Sequence, residues 1–472
     1  MAGTSQEEGS SSVQCFSGMS LSPSASGSPY LPWLRELKSD ERGLCLIQFL
    51  LNCANLIAAG KPDQADALLV HISILASPDG DAMQRIASYL AVALSLRLLR
   101  SLPGVSRVLI PLCAVTFPLA EAVAARRHFL DLCPFLHIAF AVSNWAILEA
   151  MEEEKMIHII DLNASDPTQW ISLLQALSKR PGGPPHLRIT GVHEHKELLG
   201  HTATCLNKEA ERLDIPFQFN PVVSRLDNLD IESLRVKTGE ALAINSVLQL
   251  HCLLATNDEG RSSRIMPMPA IQNPNTTQLH GVNQATLREL LEREVINGYT
   301  PSPDSALSPP FALVPAPRME SFLAVLWGLS PKVMVITEQE SNHNSPMMNE
   351  RFTKALYFYA ALFDCLESTM PRNSVERMRV EKLLGEEIKN IIACEGLERT
   401  ERHEKLERWA QRLELAGFSR VSLSYQGLLQ AGMLLRNFNC ESYKLLNSDN
   451  GCIMMYWQDQ PLFSVSAWGC RR

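Results

Sequence analysis

At 472 residues, with 46% apolar and 20% charged residues, the chain is long enough for two or three domains, or for one large domain with an appended layer. It is apolar enough to bury a core along most of its length. A net charge of −8, with no run rich in Lys or Arg, argues against gripping DNA unaided; DNA is reached only indirectly, through a partner. Twelve Cys without a C-x-x-C pair lack zinc-ribbon spacing and read as small apolar filler in a reduced, intracellular chain.

Residues 1–30 hold ten Ser, four Gly and two Pro, bury little and are expected to be disordered. The first basic residue is Arg35, so the positive region of a signal peptide is not expected. From Ser39 the pattern turns helical. Ser39 or Asp40 serves as cap, Leu44, Ile47 and Leu51 recur near helical spacing, and Gly60 is the stop. Further helices are expected over Gln64–Ala76, Asp81–Leu102, 117–132 and 135–154, which makes residues 31–153 an α-helical cap. An apolar stripe is first of all a core stripe; the functional alternative makes Leu44, Ile47 and Leu51 a face for a partner's helix. The segment Phe129–Met151 is long and apolar, but Asp131, His137, Asn144 and Glu149 make it a core helix rather than a membrane span.

From Met156 the period changes. Strands are expected over Met156–Leu162, His186–His193, Phe217–Ser224, Ala241–Leu250 and Lys332–Glu338. Helices fall between them at Pro167–Ser178, Thr202–Leu213, Ile231–Arg235 and Met319–Leu329. That alternation implies a doubly wound α/β core over 154–472, with a parallel sheet and helices on both faces. A Pro-rich insertion interrupts it at 258–318. The insertion carries one helical island with an L-x-x-L-L run, Leu287, Leu290 and Leu291, which is either a docking motif or a chance product of a Leu-rich helix. Long helices follow over Asn349–Ser368, Ser374–Ala393 and Thr400–Ala416. Short strands then close in an antiparallel hairpin at Asn450-Gly451.

The stretch "MIHIIDLNASDPTQW" raises the question of chemistry. An apolar run ending in an acid, Asp161, is how a parallel α/β domain presents a nucleotide site, yet the turn that follows has no glycine before Gly182. Asp166 suits the N-cap, Pro167 the first helical position and Gln169 the reciprocal place of a capping box. A phosphate would then meet negative charge at that helix terminus. Glu194 stands where an acid could hold a ribose, and also where an exposed loop acid is ordinary. His158 and Asp161 fall on opposite faces of a regular strand, so no catalytic pair is assigned. His193, His195 and His201 would bind metal only if they converged with a further ligand; surface histidines are the plainer reading. No catalytic residue, metal ligand or cofactor is assigned. The alternative is an S-adenosylmethionine-dependent methyltransferase using Asp161 and Glu194.

"MIHIIDL" resembles the V-H-I-I-D signature of the GRAS family of plant regulatory proteins, and the resemblance extends over about residues 37–472. The Leu-rich helices before it resemble the family's first leucine-rich region, and Thr202–Leu226 the second. "SPKVMVITEQE", "RFTKALYFYAALFDCLE" and "RVEKLLGEEIKNIIACEG" resemble its P-F-Y-R-E region. "ERHEKLERWAQRLELAGF" and "PLFSVSAW" resemble the terminal S-A-W region over 400–472, with Arg402 and Glu404, Trp409 and Gly417, Trp457 and Trp468 at its paired positions. "SPDGDAMQRIASYLAVALSLRLL" is most similar to the Scarecrow-like three subgroup.

The resemblance implies a methyltransferase-like α/β sheet with a C-terminal antiparallel hairpin beneath a helical cap. It implies a non-enzymatic nuclear coregulator of transcription that works by protein contacts in gibberellin-linked growth and root development. The implied partners are other GRAS proteins, including DELLA repressors, and zinc-finger factors that supply DNA binding; homo- and heterodimers both remain open. Without a DELLA-type N-terminal segment, hormone-receptor-triggered degradation is not expected. His158, Asp161, Arg402, Glu404, Trp409, Gly417, Trp457 and Trp468 are expected to be structural, the tryptophans as core anchors and Arg402 with Glu404 as a local ion pair.

Overall fold

The computed structural model describes residues 37–102, 104, 117–256, 313–438, 440–448 and 451–470. Residues 1–30, Leu287, Leu290, Leu291 and Asn450 lie outside the described residues.

Among the described residues five helices come first: α1 (Ser39–Ala58), α2 (Pro62–Leu75), α3 (Ala82–Arg100), α4 (Leu119–Leu132) and α5 (Pro134–Ala150). Ser39 and Asp40 sit inside the first turn of α1 rather than capping it; Ser39 Oγ instead donates to Asp81 at 2.9 Å. Asp81 caps α3, accepting from the Gln84 backbone at 2.9 Å while the Gln84 side chain accepts from the Asp81 backbone at 3.3 Å. The cap thus closes two backbone donors reciprocally. Pro134 cannot donate to a continuing helix, and the chain bends 82° between α4 and α5. Among the described residues no single helix is long and apolar enough to cross a membrane. The apolar face of α5, with Phe135, Ile138, Val142 and Ile147, is buried in the protein's core.

The α/β part alternates as expected: β1 (Met156–Asp161), α6 (Thr168–Leu177), β2 (His186–His193), α7 (Lys196–Arg212), β3 (Phe217–Val223), β4 (Ala241–Val247), α8 (Pro317–Gly328) and β5 (Val333–Gln339). Then come α9 (Met348–Thr369), α10 (Val375–Ala393), α11 (Leu406–Leu415), β6 (Phe418–Val421), α12 (Tyr425–Arg436), β7 (Tyr443–Asn447), β8 (Ile453–Trp457) and β9 (Gln460–Cys470). The sheet runs β3-β2-β1-β4-β5-β9-β8-β7, with β6 also on β9. Strands β1–β5 are parallel, β9 is antiparallel to β5, and β7–β8 form the antiparallel hairpin. This is the doubly wound, methyltransferase-like order with an inserted antiparallel strand.

Two apolar clusters cover the two faces. Ile157, Ile159, Ala243 and Val335 pack with α5, α6 and the cap, and the same cluster runs on through α9 and α10. Ile160, Ile244, Met334 and Ile336 pack on the other face with α8, α11, Trp409 and Trp468. Cap and core also share a buried charge: Nε of fully buried Arg85 on α3 donates to both oxygens of Glu381 on α10, at 3.0 and 3.1 Å, and Nη1 reaches Glu367 of α9 at 2.7 Å.

Several elements depart from the sequence reading: α7 begins at Lys196 rather than Thr202, and Ile231–Leu234 is a 3₁₀ turn rather than an α-helix. Strand β4 stops at Val247 because Leu248 turns with φ 51°; a short 3₁₀ turn, Leu250–Leu254, follows. Residues 399–405 are not helical; Arg399, Arg402, His403 and Glu404 are buried there, and their side chains bond inward. Helix α12 occupies a stretch read as a connection between strands. Gly427 and Gly432 lower its intrinsic propensity. Gly427 faces the Trp145 ring of α5, at a distance where an added Cβ would make ordinary contact.

Candidate functional site

The strand order reverses between β1 and β4, the switch point at which doubly wound folds bind ligands. Here the protein's own groups occupy that position. The Leu162 backbone donates to Asn245 O at 2.9 Å, and Asn163 Nδ2 to Val247 O at 3.1 Å, lacing the β1 turn onto β4. The Ala164 backbone donates to Val192 O at 3.1 Å, lacing the same turn onto β2. A Cβ at Gly191 would lie 2.6 Å from Ala164 Cβ and 2.7 Å from Phe219 Cζ. That glycine admits the protein's own turn rather than a ligand.

Asp161 is buried and inward-facing. Its Oδ2 accepts from Trp170 Nε1 of α6 at 2.7 Å and its Oδ1 from the Asn163 backbone at 3.1 Å. Burial pushes its carboxyl up to about 6, against the pull of those two donors. Asp166 accepts from the Thr168 backbone at 2.7 Å, so a carboxylate does occupy the start of α6. Gln169, expected in a capping box, does something else: its buried amide contacts Asn144 Oδ1 and Asn245 Oδ1, both at 3.3 Å, tying α6 to α5 and β4. Glu194 is about half exposed and faces His195 at 3.9 Å; it shares no partner with Asp161.

His158 points to the opposite face. Arg188 donates to its Nδ1 at 3.0 Å, which leaves the proton on Nε2 to donate to Thr190 Oγ1 at 2.9 Å. Arg188 in turn forks onto Glu240, with Nε 3.1 Å from Oε1. Burial, then the Arg188 charge, lowers the His158 pKa to about 4, so the ring is neutral at pH 7. The histidine pins β1 to β2.

In the S-A-W region the expected Arg402–Glu404 ion pair is replaced by a bridge. Glu404 takes both prongs of Arg412 at 2.7 and 2.9 Å, while Arg402 donates to Arg399 O at 3.0 Å and Gly396 O at 2.9 Å. Asn344 lies between them, donating to Glu404 at 2.8 Å and accepting from Arg402 at 3.2 Å. An extended segment carries side chains at positions 402 and 404 on one side, which lets both reach Asn344. Trp409, Trp457 and Trp468 are all buried, but Trp457 lies in the larger cluster and the other two across the sheet. Trp457 donates to Asp364 at 2.8 Å, and the Arg420 guanidinium lies 5.2 Å from the Trp468 ring centre. Gly417, at φ 99°, packs on Trp327 rather than Trp409; Trp327 Nε1 donates to its carbonyl at 3.0 Å.

The surfaces sort differently from the expectation. Ile47 is fully buried and cannot meet a partner, because α1 turns that side into the cap core; Leu44 is 36% exposed and Leu51 half-buried. Helix α12 presents the clearer stripe. Tyr425, Leu429 and Met433, spaced one turn apart, are 70, 37 and 55% exposed. Gly427 and Ala431 face inward. His193, His195 and His201 do not converge: His193 Nδ1 accepts from the His195 backbone at 3.0 Å, and His201 lies beside Cys205. A groove of about 410 Å³, lined by Leu226, Leu229, Leu253 and Phe322 with Asp227 and Arg318, contains neither Asp161 nor Glu194.

The GRAS domain family matches residues 46–469 of this chain. The chain belongs to the GRAS family. It is 53% identical to Scarecrow-like protein 3 of Arabidopsis thaliana, over 98% of this chain and 97% of that protein. GRAS family protein TF80 of Medicago truncatula is 49% identical, over 94% of this chain and all of the relative. The DELLA protein RGL1 of Arabidopsis thaliana is 32% identical over 92% of this chain and 72% of its own length. The crystal structure of SCL7 from Oryza sativa superposes with a TM-score of 0.67 at 29% identity, covering 90% of this chain and 99% of that one. These GRAS relatives, Scarecrow-like and DELLA proteins among them, are consistent with plant transcriptional regulation.

Proposed function

We propose that this GRAS protein is a non-enzymatic nuclear coregulator of transcription that acts through protein contacts. Its partners on this reading are other GRAS proteins, DELLA repressors among them, and zinc-finger factors that carry it to DNA. Gibberellin-linked growth and root development are the proposed setting. The observation that carries the reading is the turn after β1: Asp161 is spent on Trp170, and the turn is laced onto β2 and β4 at the strand ends where doubly wound folds hold a ligand. A net charge of −8 supports indirect rather than direct contact with DNA. The Tyr425–Leu429–Met433 stripe supports α12 as the face that meets a second GRAS domain, because such an apolar row is costly to leave in water.

The test uses the full chain and a purified DELLA protein in a calorimetric titration, with a DNA-shift assay alongside. The expected result is a saturable complex, weakened at least tenfold by the triple change Tyr425→Ser, Leu429→Ser, Met433→Ser, and no DNA shift by the chain alone at physiological salt. A DNA shift by the chain alone, or a complex indifferent to the triple change, contradicts the corresponding part of the proposal.

A further inference from the structure

The 3₁₀ turn after β4 and the extended segment before α11 meet in a cluster that the function above does not use. His251 comes from the first, and Glu401 and His403 from the second. Their ligand-type atoms all lie within 4.8 Å of one another. His251 Nε2 stands 3.2 Å from Glu401 Oε2, and His403 Nε2 stands 3.3 Å from the same oxygen.

The neighbours fix the orientation of both rings. Glu338 accepts from the Gln249 and Leu250 backbones at 3.2 and 2.9 Å, and its other oxygen lies 2.8 Å from His251 Nδ1. That carboxylate orients the His251 ring and turns Nε2 toward Glu401. A carboxylate behind an imidazole in this way orients metal-ligating histidines and raises their basicity. On the other side, His403 Nδ1 lies 2.9 Å from His343 Nδ1, and His343 Nε2 lies 2.9 Å from Ser341 Oγ. That chain orients the His403 ring and turns its Nε2 toward Glu401 Oε2.

The decisive atom is His403 Nε2. His403 is fully buried, and this nitrogen makes no hydrogen bond even though Glu401 Oε2 is 3.3 Å away. A buried ring nitrogen without a partner is costly. Its direction is explained if nitrogen and carboxylate both address a third point. A tetrahedral ion with ligands at about 2.0–2.1 Å spaces them about 3.3 Å apart, the separation found on both sides of Glu401. Glu401 keeps about a fifth of its side chain exposed, so an ion can enter and a water can take the fourth position.

We propose that His251 Nε2, His403 Nε2 and Glu401 bind one divalent transition-metal ion, with Zn²⁺ the species suited to two imidazoles and a carboxylate in tetrahedral array. Glu338 and His343 are positioning residues behind the ligands. The ion ties the turn beyond the switch point to the segment that enters the S-A-W region.

The test is Zn²⁺ itself, titrated calorimetrically into the full chain after chelator treatment, with circular dichroism to verify the fold. Saturable binding of one ion per chain is expected, with a rise in Tm on loading. Co²⁺ in place of Zn²⁺ is expected to give the intense visible bands of a tetrahedral site. Glu401→Gln, which keeps size and polarity, and His403→Ala should each weaken binding at least tenfold. His195→Ala, at the exposed histidine pair, should leave it unchanged. A folded wild-type chain that takes up no Zn²⁺ overturns the proposal. So does binding that survives Glu401→Gln and fails on His195→Ala.

Discussion

His158 and Asp161 stand three residues apart on one strand and serve two different faces of the sheet. Their titration predicts opposite effects on stability. His158 is held neutral, with its pKa lowered from 6.5 to about 4 by burial and then by Arg188. Its contribution is complete above the unfolded value and is lost as pH falls from about 6.5 toward 4, by up to roughly 3 kcal/mol. Urea unfolding of His158→Gln at several pH values should show that acid loss flattened; an unchanged slope would mean that the ring does not carry it. Asp161 runs the other way. Its folded pKa of about 6 lies above the ordinary value, so its proton favours the fold at low pH and that contribution fades as pH rises toward 6. Trp170→Phe removes the indole donor from Asp161 and should cost about 1–3 kcal/mol, read as a lower urea midpoint. The alternation of faces was legible in the sequence, because the side-chain period of a strand is two. The partners were not: Trp170, Arg188 and Thr190 come from other elements, and strand pairing alone brings them in.

At the scale of elements, the strands were the most legible, since short apolar runs between turns leave few alternatives. The S-A-W region was the least. Residues 399–405 have a helix-compatible composition, yet four buried charged or ionisable side chains pull them into tertiary bonds that no periodicity records. Helix α12 was hidden by its two glycines, one of which serves contact with Trp145. The reading of Arg402 with Glu404 as a pair failed for a related reason: the bridging Asn344 arrives from beyond β5. The joint between cap and core offers the sharpest stability prediction. Arg85→Ala removes the hydrogen-bonding cation from Glu381, 3% exposed, leaves it Arg377 at 3.6 Å, and should lower stability by about 1.5–3 kcal/mol in chemical denaturation. A loss below about 1 kcal/mol would show that the α3–α10 joint is carried by apolar packing alone.

Across the whole molecule, a cofactor-binding frame carries a turn bonded onto its own strands. The sheet order, the reversal at β1 and β4 and the acid at the end of β1 belong to a cofactor-binding architecture. The turn chemistry belongs to a filled interior. That every residue of this turn bears a side chain was legible in the sequence. The convergence of His251, Glu401 and His403 was not, because the two segments meet only when β4 and the S-A-W region are folded together. The single apolar cluster running from α1 through α10 onto the sheet predicts that cap and core unfold as one transition.

The central claim, that the switch point is occupied by the protein itself, meets its most direct test in a calorimetric titration of the full chain with S-adenosylmethionine. No saturable heat is expected from the folded protein. Binding tighter than about 100 μM, worth roughly −5.5 kcal/mol, that is lost on Asp161→Asn would contradict it and return the Asp161 turn to the status of a working pocket.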